Sequence, residues 1–148
     1  MCGPGVVQKY LSKISGPLLD RIDLHVEVTP VNFSELSSSR LAEKSGLIRE
    51  RVMRARAIQD ARFLAMEEVH ANAQMSANMV RQICQIDEQG RSLIKQAMEK
   101  LGLSARAYDR ILKVARTIAD LADSEKVEIE HLAEAIHYRS LDRDSWAG

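Results

Sequence analysis

The chain has 148 residues, of which 45% are hydrophobic and 28% charged, and its 21 basic side chains balance 21 acidic ones. These proportions are those of a globular domain and exclude disordered, collagen-like and disulfide-scaffold chains. Because the net charge is zero, no global field draws the chain to nucleic acid or to an anionic membrane, and any such binding must be local. Two cysteines make no disulfide framework, and neither a signal peptide nor a membrane-length apolar run occurs, so we expect a cytoplasmic protein without a membrane partner.

The first 31 residues have the pattern of a short helix followed by a single strand. Apolar side chains recur at helical spacing through residues 6–14, at Val7, Tyr10, Leu11 and Ile14. Ser15, Gly16 and Pro17 end this helix with a turn. Residues 23–28 alternate polar and apolar side chains, which is the pattern of a strand. Since one strand makes no sheet, it either pairs with a sheet outside this sequence or lies as an extended flank on helices.

A polar, serine-rich stretch at residues 32–46 predicts a linker and a domain boundary. The first long helix is expected from about Leu47 to about Val69. The apolar stripe that we assign to its core side consists of Ile48, Val52, Ala55 and Ile58.

Three further helices and a short helical turn follow. One helix, around residues 93–101, ends at Gly102, a natural left-handed cap. The next is capped by Ser104 and keeps a regular apolar face from Tyr108 to Ala122. The last covers residues 129–139, and the short helical turn falls around residues 79–84. Short links between long helices predict a small antiparallel bundle, so the fold class is mainly α.

Several kinds of chemistry are excluded by the motifs. Neither G-x-x-x-x-G-K-[ST] nor G-x-G-x-x-G occurs, so this chain is not expected to hold ATP by itself. Cys84 lies near the apolar Ile83 and Ile86 and is interpreted as a buried structural residue rather than a nucleophile. The i, i+3, i+6 spacing of His131, Glu134 and His137 does not match a metal-binding helix, so we expect a solvated face there and no metal site.

Arginines are the residues that carry functional hypotheses. Residues 40–62 hold seven basic and three acidic side chains, an excess of four positive charges, and Arg49, Arg54 and Arg56 are candidates for contacts with phosphate or DNA. The arginines are scattered around the helix rather than on one face, which is also the pattern of an ordinary solvated helix. Arg21 lies between a turn and the predicted strand. Arg106 lies in the first turn of the best-defined helix, where free backbone N–H groups favour an anion. From their physical chemistry alone, both are better explained as exposed salt-bridging arginines.

Two long runs of sequence carry a resemblance to a known family. Residues 14–24, ISGPLLDRIDL, resemble the end of the ATPase core in magnesium-chelatase-related AAA+ proteins of the ComM/YifB type, and residues 103–121, LSARAYDRILKVARTIADL, resemble the C-terminal lid of that family. The run AIHYRSL at 135–141 is similar to its closing helix. The resemblance implies a truncated core end at 1–31, the linker at 32–46 and a helical lid domain at 47–148, in a chain that corresponds to the last third of such a protein.

The same resemblance implies a function. Arg21 matches the arginine finger that reaches the nucleotide of the neighbouring subunit, and Arg106 matches the second-sensor arginine of the lid, acting in cis or in trans. ATP and Mg²⁺ are the implied cofactors of the full-length protein, with none bound by this chain alone. The implied assembly is a hexameric ring that moves DNA in recombination or transformation. The alternatives are the lid of a chelatase-type motor for metal insertion and a stand-alone helical module that binds proteins.

Overall fold

The computed structural model describes residues 15–26 and 42–139, together with Lys9, Lys13, Val28, Pro30 and Val31. The helix predicted at 6–14 therefore lies outside the described residues except at Lys9 and Lys13, and most of the predicted linker lies outside them as well. Within the described part the chain is mainly helical, as predicted, and contains no strand. The helices are α1 (Gly16–Leu19), α2 (Ser45–Phe63), α3 (Ala77–Ile83), α4 (Glu88–Leu101), α5 (Ala105–Leu121) and α6 (Ile129–His137), with a 3₁₀ turn at Asn72–Gln74. Helix α1 forms where a turn was predicted, because Pro17 is tolerated in the first turn of a helix, where its missing N–H would have no partner.

Helix α5 is the centre of the bundle. It packs against α6, α2, α3 and the 3₁₀ turn, and α4 in turn packs against α6. The apolar face predicted for α5 is confirmed, since Ile111, Leu112, Ala115 and Ala119 are all buried. Each large aliphatic side chain of this kind contributes roughly 1.5–3 kcal/mol when it leaves water. The core therefore forms around one helix whose buried face runs along most of its length.

The ends of the helices follow from local side-chain chemistry. Ser104 caps α5 as predicted, because its Oγ accepts a hydrogen bond from the Ala107 amide at 3.3 Å. Gly102 ends α4 in the left-handed conformation, with φ of 59°, also as predicted. Helix α4 begins earlier than expected, at Glu88 rather than at residue 93, because the Asp87 carboxylate accepts a hydrogen bond from the Gly90 amide at 2.7 Å.

Gly90 also sets how closely α4 approaches α6. A Cβ atom at this position would lie 2.7 Å from Cδ1 of Leu132, which is closer than such atoms approach each other. The missing side chain therefore lets Leu132 pack against the α4 backbone.

Helix α2 differs from the expectation in length and in burial. It ends at Phe63 rather than near Val69. The assignment of Ile48 and Val52 to the core is wrong, since they are 43% and 41% exposed. Of the predicted stripe only Ala55 is fully buried. The physical reason is that α2 packs against α5 through its C-terminal half alone, so that in the described part of the chain its first ten residues are all exposed.

The segment predicted as a strand forms no strand in its described residues, 23–26 and 28. A strand needs a hydrogen-bonded neighbour strand, and no described residue supplies one. The His25 amide instead donates to the Tyr138 carbonyl oxygen at 2.8 Å. The segment is therefore a flank on the helices, and in its described residues it is not the lone strand of a truncated α/β core that the family resemblance implied.

A buried carboxylate joins α2, the 3₁₀ turn and α5. The Asp120 side chain is fully buried and accepts hydrogen bonds from Arg62 at 2.5 and 2.8 Å, from Asn72 Nδ2 at 2.7 Å and from Arg116 Nε at 3.1 Å. Hydrogen bonding to Asp120 raises the pKa of the Arg62 guanidinium above its ordinary value. A buried charge is tolerated when it is paired and hydrogen-bonded in this way.

The partners of Asp120 also form hydrogen bonds with other residues. The Asn72 amide donates to Gln59 Oε1 at 2.9 Å, and Asn72 Oδ1 accepts from Arg62 at 2.8 Å. Arg116 donates to the carbonyl oxygens of Glu125 and Ser124 at 2.8 and 2.5 Å. The cluster therefore fixes the end of α2, the 3₁₀ turn and the loop between α5 and α6 on one carboxylate.

His131 is another correction. It is 4% exposed rather than solvated, and its Nδ1 accepts a hydrogen bond from the Glu128 amide at 3.0 Å at the start of α6. The position of His131 beside the helix start explains this, because the imidazole satisfies an amide that has no partner within the helix. Glu134 and His137 are exposed, as expected.

We expect Asp120→Asn to lower the free energy of unfolding by about 3 kcal/mol, because it leaves the buried guanidinium of Arg116 and the partly buried one of Arg62 without a balancing charge. Chemical denaturation of the two proteins measures the difference. Asp123→Asn is the matched control, since Asp123 is exposed and has a φ of 56°, which Asn tolerates. An equal change in both variants would show that the cluster does not depend on the Asp120 charge.

Burial in the core raises the pKa of the Cys84 thiol from 9.0 to about 11, against the opposing effect of nearby Arg116 and Arg62. In a Cys2→Ser background we therefore expect iodoacetamide to alkylate native Cys84 far more slowly than the unfolded chain at pH 8. Because the unfolded thiol ionises first as pH rises, this group should weaken the native state between pH 9.0 and about pH 11. An alkylation rate that levels off near pH 9 would contradict the assignment.

Candidate functional site

Arg21 stands on the turn that follows α1. Its amide donates to the Leu18 carbonyl oxygen at 3.0 Å, and its guanidinium donates through Nη1 to the Pro17 carbonyl oxygen at 3.0 Å. The side chain is exposed and, in the described part of the chain, has no carboxylate partner. The backbone of Arg21 is thus fixed by a short helix, while most of its N–H donors remain available.

The residues that follow Arg21 are docked on the bundle. Asp23 forms an ion pair with Arg110 of α5. The Ile22 carbonyl oxygen accepts a hydrogen bond from Arg139, which is fully buried. Together with the bond between His25 and Tyr138, these contacts connect the segment to α5 and to the end of α6.

Arg106 lies in the first turn of α5, as predicted. Its side chain is exposed, and no ion pair or hydrogen bond of its guanidinium occurs with another described residue. Arg110 lies four residues further along the same helix, on the same face, and it contacts Asp23. Arg106 is thus one turn from the contact that docks the segment of Arg21.

The candidates Arg49, Arg54 and Arg56 lie on α2 and are exposed. None of the three has a hydrogen-bonded or charged partner within the described ranges. Arg51, on the same helix, differs, because its guanidinium forms a two-pronged ion pair with Glu43, which raises its pKa. The arginines of α2 that have no ion-pair partner in the described part of the chain are therefore these three, and the same helix also carries Glu50 and Asp60.

Two clefts lie beside these elements. One, of about 300 Å³, is mainly apolar and is bordered by Asp23 and Leu24 on one side and by α5 and Tyr138 on the other. The second, of about 340 Å³, lies between α2 and the 3₁₀ region and includes Arg56 and Asp60 in its wall. Both clefts are bordered by Ala73, Thr117 and Leu121, so they are neighbours on one side of the bundle.

Sequence reasoning missed the docking residues Asp23, Arg110 and Arg139. Asp23 and Arg110 are 87 positions apart, and Ile22 and Arg139 are 117 apart, so that no local spacing connects them. The one sequence signal was the placement of two arginines, Arg106 and Arg110, four residues apart on the same helix. It indicates a shared face but does not identify the partner.

The described residues do not form a metal site. Across residues 15–26 and 42–139, no three His, Cys, Asp or Glu side chains come together as ligands for a metal ion. Cys84 is buried, as predicted, and lies in the apolar core. Among the helices described, none is long and apolar enough to cross a bilayer.

Comparison with known proteins gives two matching family models. Residues 42–139 match the model for the C-terminal part of the magnesium chelatase subunit ChlI, and residues 1–36 match the model for the ChlI subunit itself. The first match covers α2 to α6, including Arg106 and Arg110. The second includes Arg21 and Asp23.

Individual relatives agree with the family models. The chain is 38% identical over 141 residues to the competence protein ComM of Haemophilus influenzae and 38% identical over 143 residues to YifB of Escherichia coli K12. It is 34% identical over 144 residues to YifB of Salmonella typhimurium. These matches cover 95–96% of this chain but 27% of each relative, so the chain spans about a quarter of their length. The chain belongs to the magnesium chelatase ChlI family of AAA+ proteins and matches the C-terminal part of that subunit.

Proposed function

We propose that this chain is the C-terminal region of an oligomeric AAA+ ATPase that moves DNA. In this proposal residues 1–31 are the end of the ATPase core, and residues 47–148 form the helical lid. Arg21 is the arginine finger that acts on the neighbouring subunit, and Arg106 is the nucleotide sensor of the lid. The full-length protein would assemble as a ring, because a finger supplied in trans requires a neighbour at each nucleotide.

The observation that supports these two roles is the contrast between paired and open arginines. Five arginines are paired with carboxylates in the described part of the chain, namely Arg51, Arg62, Arg91, Arg110 and Arg116. Arg21 and Arg106 are exposed and have no such partner there. A guanidinium already neutralised by a carboxylate is a poor phosphate ligand, whereas an open one can bind phosphate oxygens through two N–H donors.

The residues of this chain suit a contribution to nucleotide hydrolysis rather than a complete nucleotide site. The sequence has no phosphate-binding loop, so MgATP would be held by other parts of the full-length protein. Phosphoryl transfer from ATP to water develops charge on phosphate oxygens, and an arginine finger that meets this charge accelerates turnover by about 10³–10⁵. Arg21 would supply that charge, and Arg106 would connect lid position to the bound nucleotide.

DNA is the substrate that we favour for this motor, for two reasons. One relative carries the name competence protein, and the resemblance to this type of protein implies a DNA motor. In addition, Arg49, Arg54 and Arg56 are exposed guanidinium groups without an ion-pair partner among the described residues, and a phosphate backbone attracts such groups. The family models carry the name magnesium chelatase, so a metal-insertion partner is the second candidate client.

The first test is Arg21→Ala in the full-length protein. We expect the KM for ATP to stay within about threefold while kcat falls by about 10³ or more, because the finger meets charge that develops in the transition state. Steady-state ATPase assays with and without DNA measure both quantities, and stimulation by DNA is expected for the unaltered protein.

Arg91→Ala is the matched control for this test. Arg91 is also exposed and also donates to a backbone carbonyl oxygen nearby, that of Ile86, but it is paired with Glu88. It should leave turnover unchanged. Equal turnover in Arg21→Ala and in the unaltered protein would show that Arg21 is not a finger, and an ATPase indifferent to DNA would favour the metal-insertion client.

The second test concerns the arginines of α2. Replacing Arg49, Arg54 and Arg56 by Ala one at a time should each weaken DNA binding and reduce the slope of log K against log salt by about 1 for each phosphate that the side chain had neutralised. Fluorescence anisotropy with a labelled duplex over a salt series measures this slope.

Arg51→Ala serves as control on the same helix, because its charge is already balanced by Glu43. It should change the slope much less than the other three substitutions. If all four variants behave alike, the effect reflects net charge, and the three open arginines do not form a DNA contact.

A further inference from the structure

The contact between Asp23 and Arg110 connects the two elements that carry the proposed nucleotide-directed arginines. Asp23 follows Arg21 by two residues, in a segment also fixed by Arg139 at the Ile22 carbonyl oxygen. Arg110 belongs to α5 and is exposed only in part. The ion pair therefore spans from the segment of Arg21 to the helix of Arg106.

Helical geometry places the contact between Asp23 and Arg110 next to Arg106. Residues four apart on a helix lie on one face, one turn from each other, so Arg110 stands next to Arg106 along α5. The N-terminal half of α5 thus carries two neighbouring guanidinium groups, which differ in whether they have an ion-pair partner. Arg110 is neutralised by Asp23, whereas Arg106 has no partner among the described residues.

We propose that the Asp23–Arg110 ion pair is a positioning contact, which holds Arg21 in a fixed relation to the lid helix that carries Arg106. A movement of the lid helix then moves the finger with it. This inference rests on the proposed function of Arg21 and adds Asp23 and Arg110 to it as positioning residues.

The exposure of the pair separates this role from a role in folding. The side chains of Arg110 and Asp23 are 31% and 48% exposed, and ion pairs of this kind contribute little to stability. The bonds from Arg139 to Ile22 and from His25 to Tyr138 do not involve Asp23 or Arg110, so we expect them to remain when the pair is removed. Removal of the pair should therefore shift the segment rather than detach it, and a small displacement of a group that acts on a transition state reduces the rate strongly.

The experiment measures ATPase kinetics of the full-length protein with Asp23→Asn, with Arg110→Gln and with both changes. We expect each single substitution to lower kcat by about tenfold with the KM for ATP within about twofold, and the double substitution to be no worse than either single one. Arg110→Lys, which keeps the charge, should restore most of the turnover. Arg91→Gln, which breaks the comparable exposed pair with Glu88, is the control and should leave kcat unchanged.

The outcomes separate this inference from the proposed function. If Arg21→Ala abolishes turnover while Asp23→Asn and Arg110→Gln leave kcat unchanged, the positioning role is wrong and the finger stands. If Arg21→Ala leaves turnover unchanged, the finger is wrong and the positioning role fails with it. Effects of the two single substitutions that add in the double variant, or a lower melting temperature with kcat unchanged, would also overturn the positioning role.

Discussion

The buried carboxylate of Asp120 is the constraint on which the arrangement of this protein depends. A charge in the core is stable only when donors surround it, and Asp120 receives them from α2, from the 3₁₀ turn and from its own helix. The guanidinium of Arg116 extends the same cluster to the loop before α6. Apolar packing holds the helices together with little directional preference, whereas this cluster specifies which end of each element meets the others.

Different parts of helix α5 have different roles. Its apolar face is buried against the other helices, and the end near Asp120 is fixed by charged and polar contacts. The opposite end carries Arg106 and Arg110 at the surface. Because the anchored end and the core fix the axis of the helix, the direction in which its first turn faces is fixed as well. A side chain with this kind of support is suited to recognising a ligand at a defined position.

The arginines of this chain illustrate how context decides the role of one residue type. Arg116 is buried, paired and structural, and Arg110 joins two segments at the surface. Arg21 and Arg106 are exposed and open. The net charge of zero conceals this distribution, since an equal number of carboxylates neutralises some arginines and leaves others available. The functional proposals rest on that difference rather than on the number of arginines.

The sequence by itself determined the approximate positions of the helices α2 to α6, their caps at Gly102 and Ser104 and the apolar face of α5, because these features depend on local spacing and on side chains that bond their own backbone. It also identified the family, because the family motifs are contiguous in the chain. It could not determine that Ile48 and Val52 remain exposed or that residues 23–26 lie against helices, since burial depends on which neighbours are present. Only the tertiary structure brought together Asp23 with Arg110 and Arg62 with Asp120, because contacts across 87 and 58 positions leave no periodic trace in a sequence.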